Sequence, residues 1–541
     1  MQKRLFLFLA ASTIVTLHCF AQSVANNQPP ANSLFRNIPP DATSVYQFNL
    51  PVITSKISWQ DLTGIIPLAK LAAANPASVA LLKDPALAGL DMNKDIFITY
   101  KKATYDSVGY ATLIVHLIDS AKFRAALRKE ISGLRSFTIP NKNKIRLAGK
   151  DHIGAAWTRN LAVLVLVTPS IEETIESVKK TPDTHPVTPN YALTAVKQGL
   201  IDIEGFDGSF YTTDPVFTTG FSDDAAIHLW TTQGEGLSSF GKKLGNPFGS
   251  LKHFIPENES ASRAKTLTTI RLEDGRITIA SSTVATPELE KIYTKLNSRP
   301  LNMELQSRIP PGNILGLVNV RFDPLLVNDL LNKFGLRNKV DSAMRAKGLP
   351  LDTVLSAFRG DLQLVCMEPV SDGGKPQFPL YFVTTVRDSA AFAKVAASIK
   401  SMSDSAGVDS VTGKSRNPLA KLNSSYTLQN NILVISGSKA KTDGWFSNTE
   451  MRNTSFLNDR IKDNPMSILI DFKTIARFVE SMSKGKEIAA KDQKILDLLH
   501  SIDKLEVTGG EVRNGKVESF VELKLINSSP NSVANFIKML H

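Results

Sequence analysis

The chain repeats itself. RIPPGNILGLVNV, residues 308–320, echoes NIPPDATSVYQFNL, which begins at Asn37, and the two Ile-Pro-Pro triplets stand 271 positions apart. TLIVHLIDSAKFRAAL, from Thr112, is answered by LYFVTTVRDSAAFAKVAA, from Leu380, with Asp119 matching Asp388 and Phe123 matching Phe392 at an offset of 269. RNLAVLVL, from Arg159, is answered by QNNILVIS, from Gln429, where Asn160 matches Asn431 at an offset of 271. Two later pairs sit at an offset of 240: LEDGRITIASS with VRNGKVESFVE, and FSDDAAIHLW with IKDNPMSILI. Matches in the same order predict an internal duplication, with halves at 36–300 and 301–541. The shorter offset predicts extra residues in the first half, and the stretch 181–222, rich in Thr, Pro and Gly, is the natural place for them.

Each half reads as strands arriving in hairpins with helices between them. Thr43–Leu50 predicts a strand, and the Ala- and Leu-rich stretch 61–90 predicts two short helices broken near Pro76. Asp95–Lys101 and Tyr110–Leu117 are rich in Ile, Val, Thr and Tyr, as paired strands are. Asp119 is placed to cap a helix, its carboxylate accepting the free amides of the first turn, and Asp388 repeats the device. Phe123, Leu127 and Ile131 share one face of that helix. Ile153–Trp157 and Leu161–Val167 predict a hairpin across Thr158-Arg159-Asn160. Asp274-Gly275 and Asn514-Gly515 are two-residue hairpin signals at matching places in the halves. The fold class expected is α+β, two similar halves with antiparallel sheets and packed helices. In each half Ile-Pro-Pro marks the start of the first strand, where proline's missing N–H is tolerated.

The N-terminus reads as a signal peptide, residues 1–21. Lys3 and Arg4 precede an apolar run from Leu5 to Leu17, and Cys19-Phe20-Ala21 supplies small residues for cleavage after Ala21. The run is too short to span a membrane, which takes about 20 apolar residues. The competing reading acylates Cys19 as a lipoprotein, but Leu17 and the bulky His18 depart from a lipobox. Residues 22–35 read as a polar linker. Cleavage leaves 520 residues, enough for two domains. It also takes the formal charge from +12 to +10, a diffuse excess read as a solvated face rather than an anion-binding patch. Export argues against nucleic acid as a partner. With Cys19 removed, Cys366 stands alone, no intramolecular disulfide forms, and the thiol reads as a small buried hydrophobe in the strand-like DLQLVCMEP.

The chemistry is conspicuous for what is missing. GVDSVTGKS, 407–415, encloses five residues between Gly407 and Gly413, where a phosphate loop needs four, and reads as a loop. There is no Gly-x-Ser-x-Gly, no His-Glu-x-x-His and no Cys-x-x-Cys. The eight histidines are scattered, with His116 and His228 inside strand-like runs; Asp223 and Asp224 read as a turn before AAIHLW. No catalytic, cofactor-binding or metal-binding residues are assigned, and no cofactor is expected.

The Ile-Pro-Pro strand starts, the AAIHLW strand and the LEDGRITI hairpin resemble those of domain-of-unknown-function family 4836 of Bacteroidota. The resemblance covers most of the mature chain. It implies an exported, often lipid-anchored protein and no catalytic residues; the missing lipobox sets this chain apart on the anchor. Exported proteins of that group carry O-glycans on Asp-(Ser/Thr)-apolar triplets, and of the six here Ser405, read as lying in the loop SMSDSAGVDS, is the favoured acceptor. The function expected is non-catalytic binding or scaffolding in the periplasm or cell envelope. Its partner would be an envelope protein or a glycan, with no membrane span and with peripheral or lipid-anchored association as the alternative. The second function class is a hydrolase whose Asp, Ser and His meet only in space.

Overall fold

The structure, a computed structural model, describes residues 34–61, 85–130, 135–137, 145–170, 191–206, 221, 223–232, 265–284, 287–296, 301–333, 335–346, 348–372, 375–405, 425–447, 457, 461–462, 464–483 and 490–539. They are α+β and fall into two compact units. The first holds the described residues before 233, then 265–283 and 527–539; the second holds 284–526.

In the first unit β1 (Ser44–Phe48) lies between β2 (Ile96–Lys101) and β8 (Ile227–Thr232), antiparallel to both. Outward from β2 follow β3 (Gly109–His116), β7 (Leu161–Thr168), β6 (Ile153–Trp157), β5 (Arg146–Lys150) and β4 (Arg135–Phe137). Outward from β8 follow β9 (Lys265–Glu273) and β10 (Arg276–Val284). The order along the sheet is therefore β4-β5-β6-β7-β3-β2-β1-β8-β9-β10.

Alternation along these strands feeds two apolar layers. Val45, Phe97, Ile114, Val163, Val165 and Trp230 form one core with Phe35 and Ile38. Ile96, Val115 and Leu164 form the other with Phe123, Leu127 and Trp157. Strand β1 is shorter than Thr43–Leu50 predicts, because Asn49 caps a helix instead of extending the strand. Its side chain accepts from Val52 N–H, and α1 (Leu50–Lys56) begins at once with Pro51 in its first turn. The helices expected within 61–90 fall mostly outside the described residues; 85–89 is a turn. Asp119 caps α2 (Ser120–Glu130), its Oδ1 accepting from the N–H of Ala121 at 2.9 Å and of Lys122 at 3.0 Å.

In the second unit β11 (Ile314–Arg321) lies between β12 (Phe358–Met367) and β18 (Met466–Asp471). After β12 a separate small hairpin, β13 (Val370–Asp372) and β14 (Lys375–Gln377), stands apart from the main sheet, and beyond β12 in that sheet come β15 (Leu380–Val386), β17 (Ile432–Ser436) and β16 (Ser425–Gln429). Beyond β18 come β19 (Ile502–Arg513) and β20 (Lys516–Leu525). The order β16-β17-β15-β12-β11-β18-β19-β20 runs as β6-β7-β3-β2-β1-β8-β9-β10 does in the first unit.

Local devices coincide too. Asp388 Oδ1 accepts from Ala390 N–H at 2.9 Å and Ala391 N–H at 3.0 Å, capping the helix Ser389–Ser405, and Phe392 is buried beneath it as Phe123 is beneath α2. Leu117 N–H donates to Asn160 O at 2.8 Å, and Val386 N–H donates to Asn431 O at 2.7 Å. Both Gly-containing hairpins form. Gly275 has φ +76°, and Asn514 and Gly515 have φ +51° and +72°, the left-handed pair of a type I′ turn.

Two further differences from the sequence reading have plain causes. Ser405 is the last residue of the helix Ser389–Ser405, not a loop residue, because the Asp388 cap starts a helix that runs on through it. The halves also do not match the compact units at their ends. The helix Pro287–Leu296 packs on β19 and β20 in the second unit, and residues 527–539 belong to the first. The expected signal peptide, the expected linker as far as residue 33, the GVDSVTGKS segment and most of 181–222 lie outside the described residues; the last two residues of that linker, Leu34 and Phe35, instead open a 3-10 turn and are buried in the first unit's core, because both are large and apolar. No helix among the described residues is long and apolar enough to cross a membrane.

Candidate functional site

The two aspartates before AAIHLW do form the turn that the sequence predicts. Asp223 Oδ1 accepts from Ala225 N–H at 3.0 Å, an Asx-type turn that delivers the chain into β8. The same carboxylate meets His228, five residues on and fully buried, with Nε2 2.6 Å from Asp223 Oδ1. Arg271 on β9 grips both acids, Nη1 to Asp224 Oδ1 at 2.5 Å and Nη2 to Asp223 Oδ2. The Phe221 ring stacks on the imidazole with centroids 5.1 Å apart. Burial pushes the Asp223 carboxyl up, but the bonds from His228 and Ala225 and the charge of Arg271 outweigh it and leave the group below its ordinary range.

Next to His228 in register lies Gln47 of β1, and its Nε2 donates to Asp95 Oδ2 at 2.6 Å. Gln47 Oε1 and His228 Nδ1 have no hydrogen-bond partner among the described residues. The imidazole thus has one partner, which the Nε2–H tautomer satisfies. Among the described residues no Ser hydroxyl reaches Nδ1, the nitrogen that a relayed nucleophile would need. The pair can fix the turn and the end of β8: the imidazole is buried beneath Phe221, while the exposed Asp223 carboxylate is held by Arg271.

The second unit carries a polar row across its own central strands. Gln363, Asn319, Ser467 and Thr508 are successive partners across β12, β11, β18 and β19, and all are buried. Asn319 Oδ1 accepts from Gln306 Nε2 at 2.9 Å and Gln363 Nε2 at 3.2 Å, and its Nδ2 donates to Ser467 Oγ at 3.2 Å. Toward the β19–β20 turn, Glu511 and Glu518 oppose each other across the hairpin. Arg513 Nε binds Glu511 Oε1 at 2.7 Å. Burial, with a smaller contribution from Glu511, raises the Glu518 carboxyl to about 7. Gly510, at φ +87°, absorbs the register shift between Gly509 and Glu511 that aligns the two acids.

The remaining candidates are unassembled. Cys366 is half-buried in β12, and burial raises its thiol to about 11, the reverse of an activated nucleophile. His116 is half-buried in β3; desolvation lowers it, partly offset by Asp91. Among the described residues no three His, Cys, Asp or Glu gather as a metal site. The sequence signals the turn at Asp223 but not Arg271, 47 residues on from Asp224, or the polar row, whose members meet only through strand register.

No protein-family model matches the chain, and no curated protein does. Among solved structures, crystal form IV of TP0453 is 12% identical with a TM-score of 0.29, covering 51% of this chain and 87% of that one. Crystal form III is 8% identical with a TM-score of 0.26, over 50% and 87% of the two chains. Likenesses at these scores carry no argument about what this chain does.

Proposed function

We propose that this chain is an exported envelope protein, cleaved after Ala21, whose two halves descend from one duplicated module and act in non-catalytic binding or scaffolding. The observation that carries the reading is the strand order, eight strands long and the same in both units, with the same helix cap and buried Phe at matching places. Duplication multiplies a surface, whereas a catalytic site needs only one assembled cluster. Among the described residues, the Asp223–His228 pair has no nucleophile on the Nδ1 of its buried imidazole. The partner class is an envelope protein or a glycan. Kinship with domain-of-unknown-function family 4836 belongs to the same proposal and rests on the sequence motifs.

The test is crosslinking in cells, followed by affinity capture of the mature protein from the envelope fraction, washing at high salt and mass spectrometry. A reproducible partner protein or glycan that survives the salt supports binding or scaffolding. Repeated recovery of the bait alone overturns it. The second reading, a hydrolase, draws only on the Asp223–His228 pair. It requires that His228→Ala abolish an esterase or glycosidase activity of the purified chain while the variant stays folded.

A further inference from the structure

The last fifteen residues of the chain, 527–541, belong to the first unit although they follow the last strand of the second. Their described part is anchored. Ser529 N–H donates to Asn527 Oδ1 at 2.9 Å, a turn that leads into the C-terminal helix Ser532–Met539. Ser532, Val533 and Phe536 are buried, while Asn535, Lys538 and Met539 are exposed, so one face of this short helix is inserted.

Its contacts converge on one feature, the β9–β10 turn. Gly275 N–H donates to Ser532 Oγ at 2.8 Å in a buried bond. The turn is also gripped from α1, where Lys56 Nζ lies 2.6 Å from Asp274 Oδ1. A Cβ on Gly275 would sit 2.8 Å from Ser528 Cα, so only glycine lets the strap lie this close, and φ +76° there is strained for any other residue. At the far end Lys538 Nζ is 3.1 Å from Asp61 Oδ2. The Asp61 carboxyl is held below its ordinary range by its hydrogen bonds to Ser58 and Lys538.

We infer that the β9–β10 turn and Asp61 form an acceptor site for a short amphipathic helix, filled here by the chain's own C-terminus as a detachable strap. Among the described residues no such strap lies on the second half's hairpin turn. Gly515 has open space where a Cβ would be built, whereas Gly275 has Ser528. The tight fit at one of two otherwise similar hairpins is what points to a dedicated contact. Tethering keeps the local strap concentration on the millimolar scale, so release follows from cutting or extending the tail rather than from dilution.

The experiment is hydrogen exchange read by mass spectrometry on the mature chain and on the same chain ending at Ile526. Truncation is expected to speed exchange in residues 265–283 at least tenfold and to leave β11 and β12 of the second unit unchanged. A synthetic peptide of residues 527–541 at millimolar concentration is expected to restore protection. Phe536→Ala in the full-length chain, which removes a buried side chain of the strap and leaves the turn's glycine in place, serves if the truncated chain does not fold, and should reproduce the local loosening. Unchanged exchange at 265–283 in both variants overturns the strap, and a peptide that restores nothing overturns the acceptor site.

Discussion

Asn319 is the side chain whose removal tests the polar row most severely. It accepts from two glutamine amides and donates to Ser467 Oγ, all in the interior of the second unit. In Asn319→Ala the amide groups of Gln306 and Gln363 and the hydroxyl of Ser467 lose their partner together. A buried polar group left unpaired costs about 1–3 kcal/mol, so three give about 3–9 kcal/mol before the side chains shift to relieve it. We expect about 4 kcal/mol, a large share of the roughly 5–15 kcal/mol that holds a domain together. At a urea dependence of about 2 kcal/mol per molar, the unfolding midpoint of the second unit should fall by about 2 M. Far-UV circular dichroism gives the transition, and hydrogen exchange of β11, β12 and β18 assigns it to this unit. Asn319→Leu separates the causes: it fills the space but leaves the same groups unpaired, so it should cost nearly as much. A midpoint shift below about 0.5 M in Asn319→Ala, worth about 1 kcal/mol, would refute the reasoning, and so would full recovery in Asn319→Leu.

The other predictions are simpler. Asp388→Ala removes the acceptor of two first-turn amides and should cost about 1 kcal/mol in a thermal or urea melt; Asp119→Ala should move the first unit in the same direction. Because the Asp119 carboxyl is lowered by its backbone bonds to Lys122 and Ala121, the stability it adds is present above the unfolded pKa of about 4 and is lost as pH falls through its folded value. A wild-type pH series against Asp119→Asn reads that difference. Glu518 has the opposite sign. Its folded pKa is raised to about 7, so stability falls as pH rises from about 4.3, the unfolded value, to about 7, and then levels. Glu518→Gln should flatten that slope and leave the chain more stable than wild type at pH 8. Gly360 has φ +99°, and a Cβ there would lie 1.8 Å from Phe322 O, so Gly360→Ala should cost at least about 3 kcal/mol in the second unit's melt.

How much of this was legible follows from which signals are local. The caps at Asp119 and Asp388, the Gly275 and Gly515 turns and the strand pairs around them depend on residues a few positions apart, and the structure places them where the sequence puts them. The early end of β1 was readable only in hindsight, because Asn49-Leu50-Pro51 looks apolar enough to prolong a strand until its cap is seen. Arg271 between two aspartates, Asn319 between Gln363 and Ser467, and Glu511 opposite Glu518 are products of register, which no period along the chain encodes. The placement of the C-terminal helix was hidden for a different reason. Its buried face of Val533 and Phe536 states that it packs, not on what.

The register itself gives a reason for keeping polar side chains in such places. Strands such as β7 and β17 are runs of Val, Leu, Ile and Ala, for which many pairings bury similar area. A slip of one residue would turn every side chain to the opposite face. Gln47 beside His228 in one unit, and Gln363–Asn319–Ser467 in the other, sit on the central strand and its neighbours. A slip by one or two positions would strand those groups against hydrocarbon, at a cost per group similar to that argued for Asn319. Apolar residues of the same size would hold the native pairing as tightly but would not penalise its neighbours in register. On this reasoning the buried polar rows select one alignment of the central strands and need no ligand to explain them. What the protein recognises is then to be sought on its surface rather than in these buried rows.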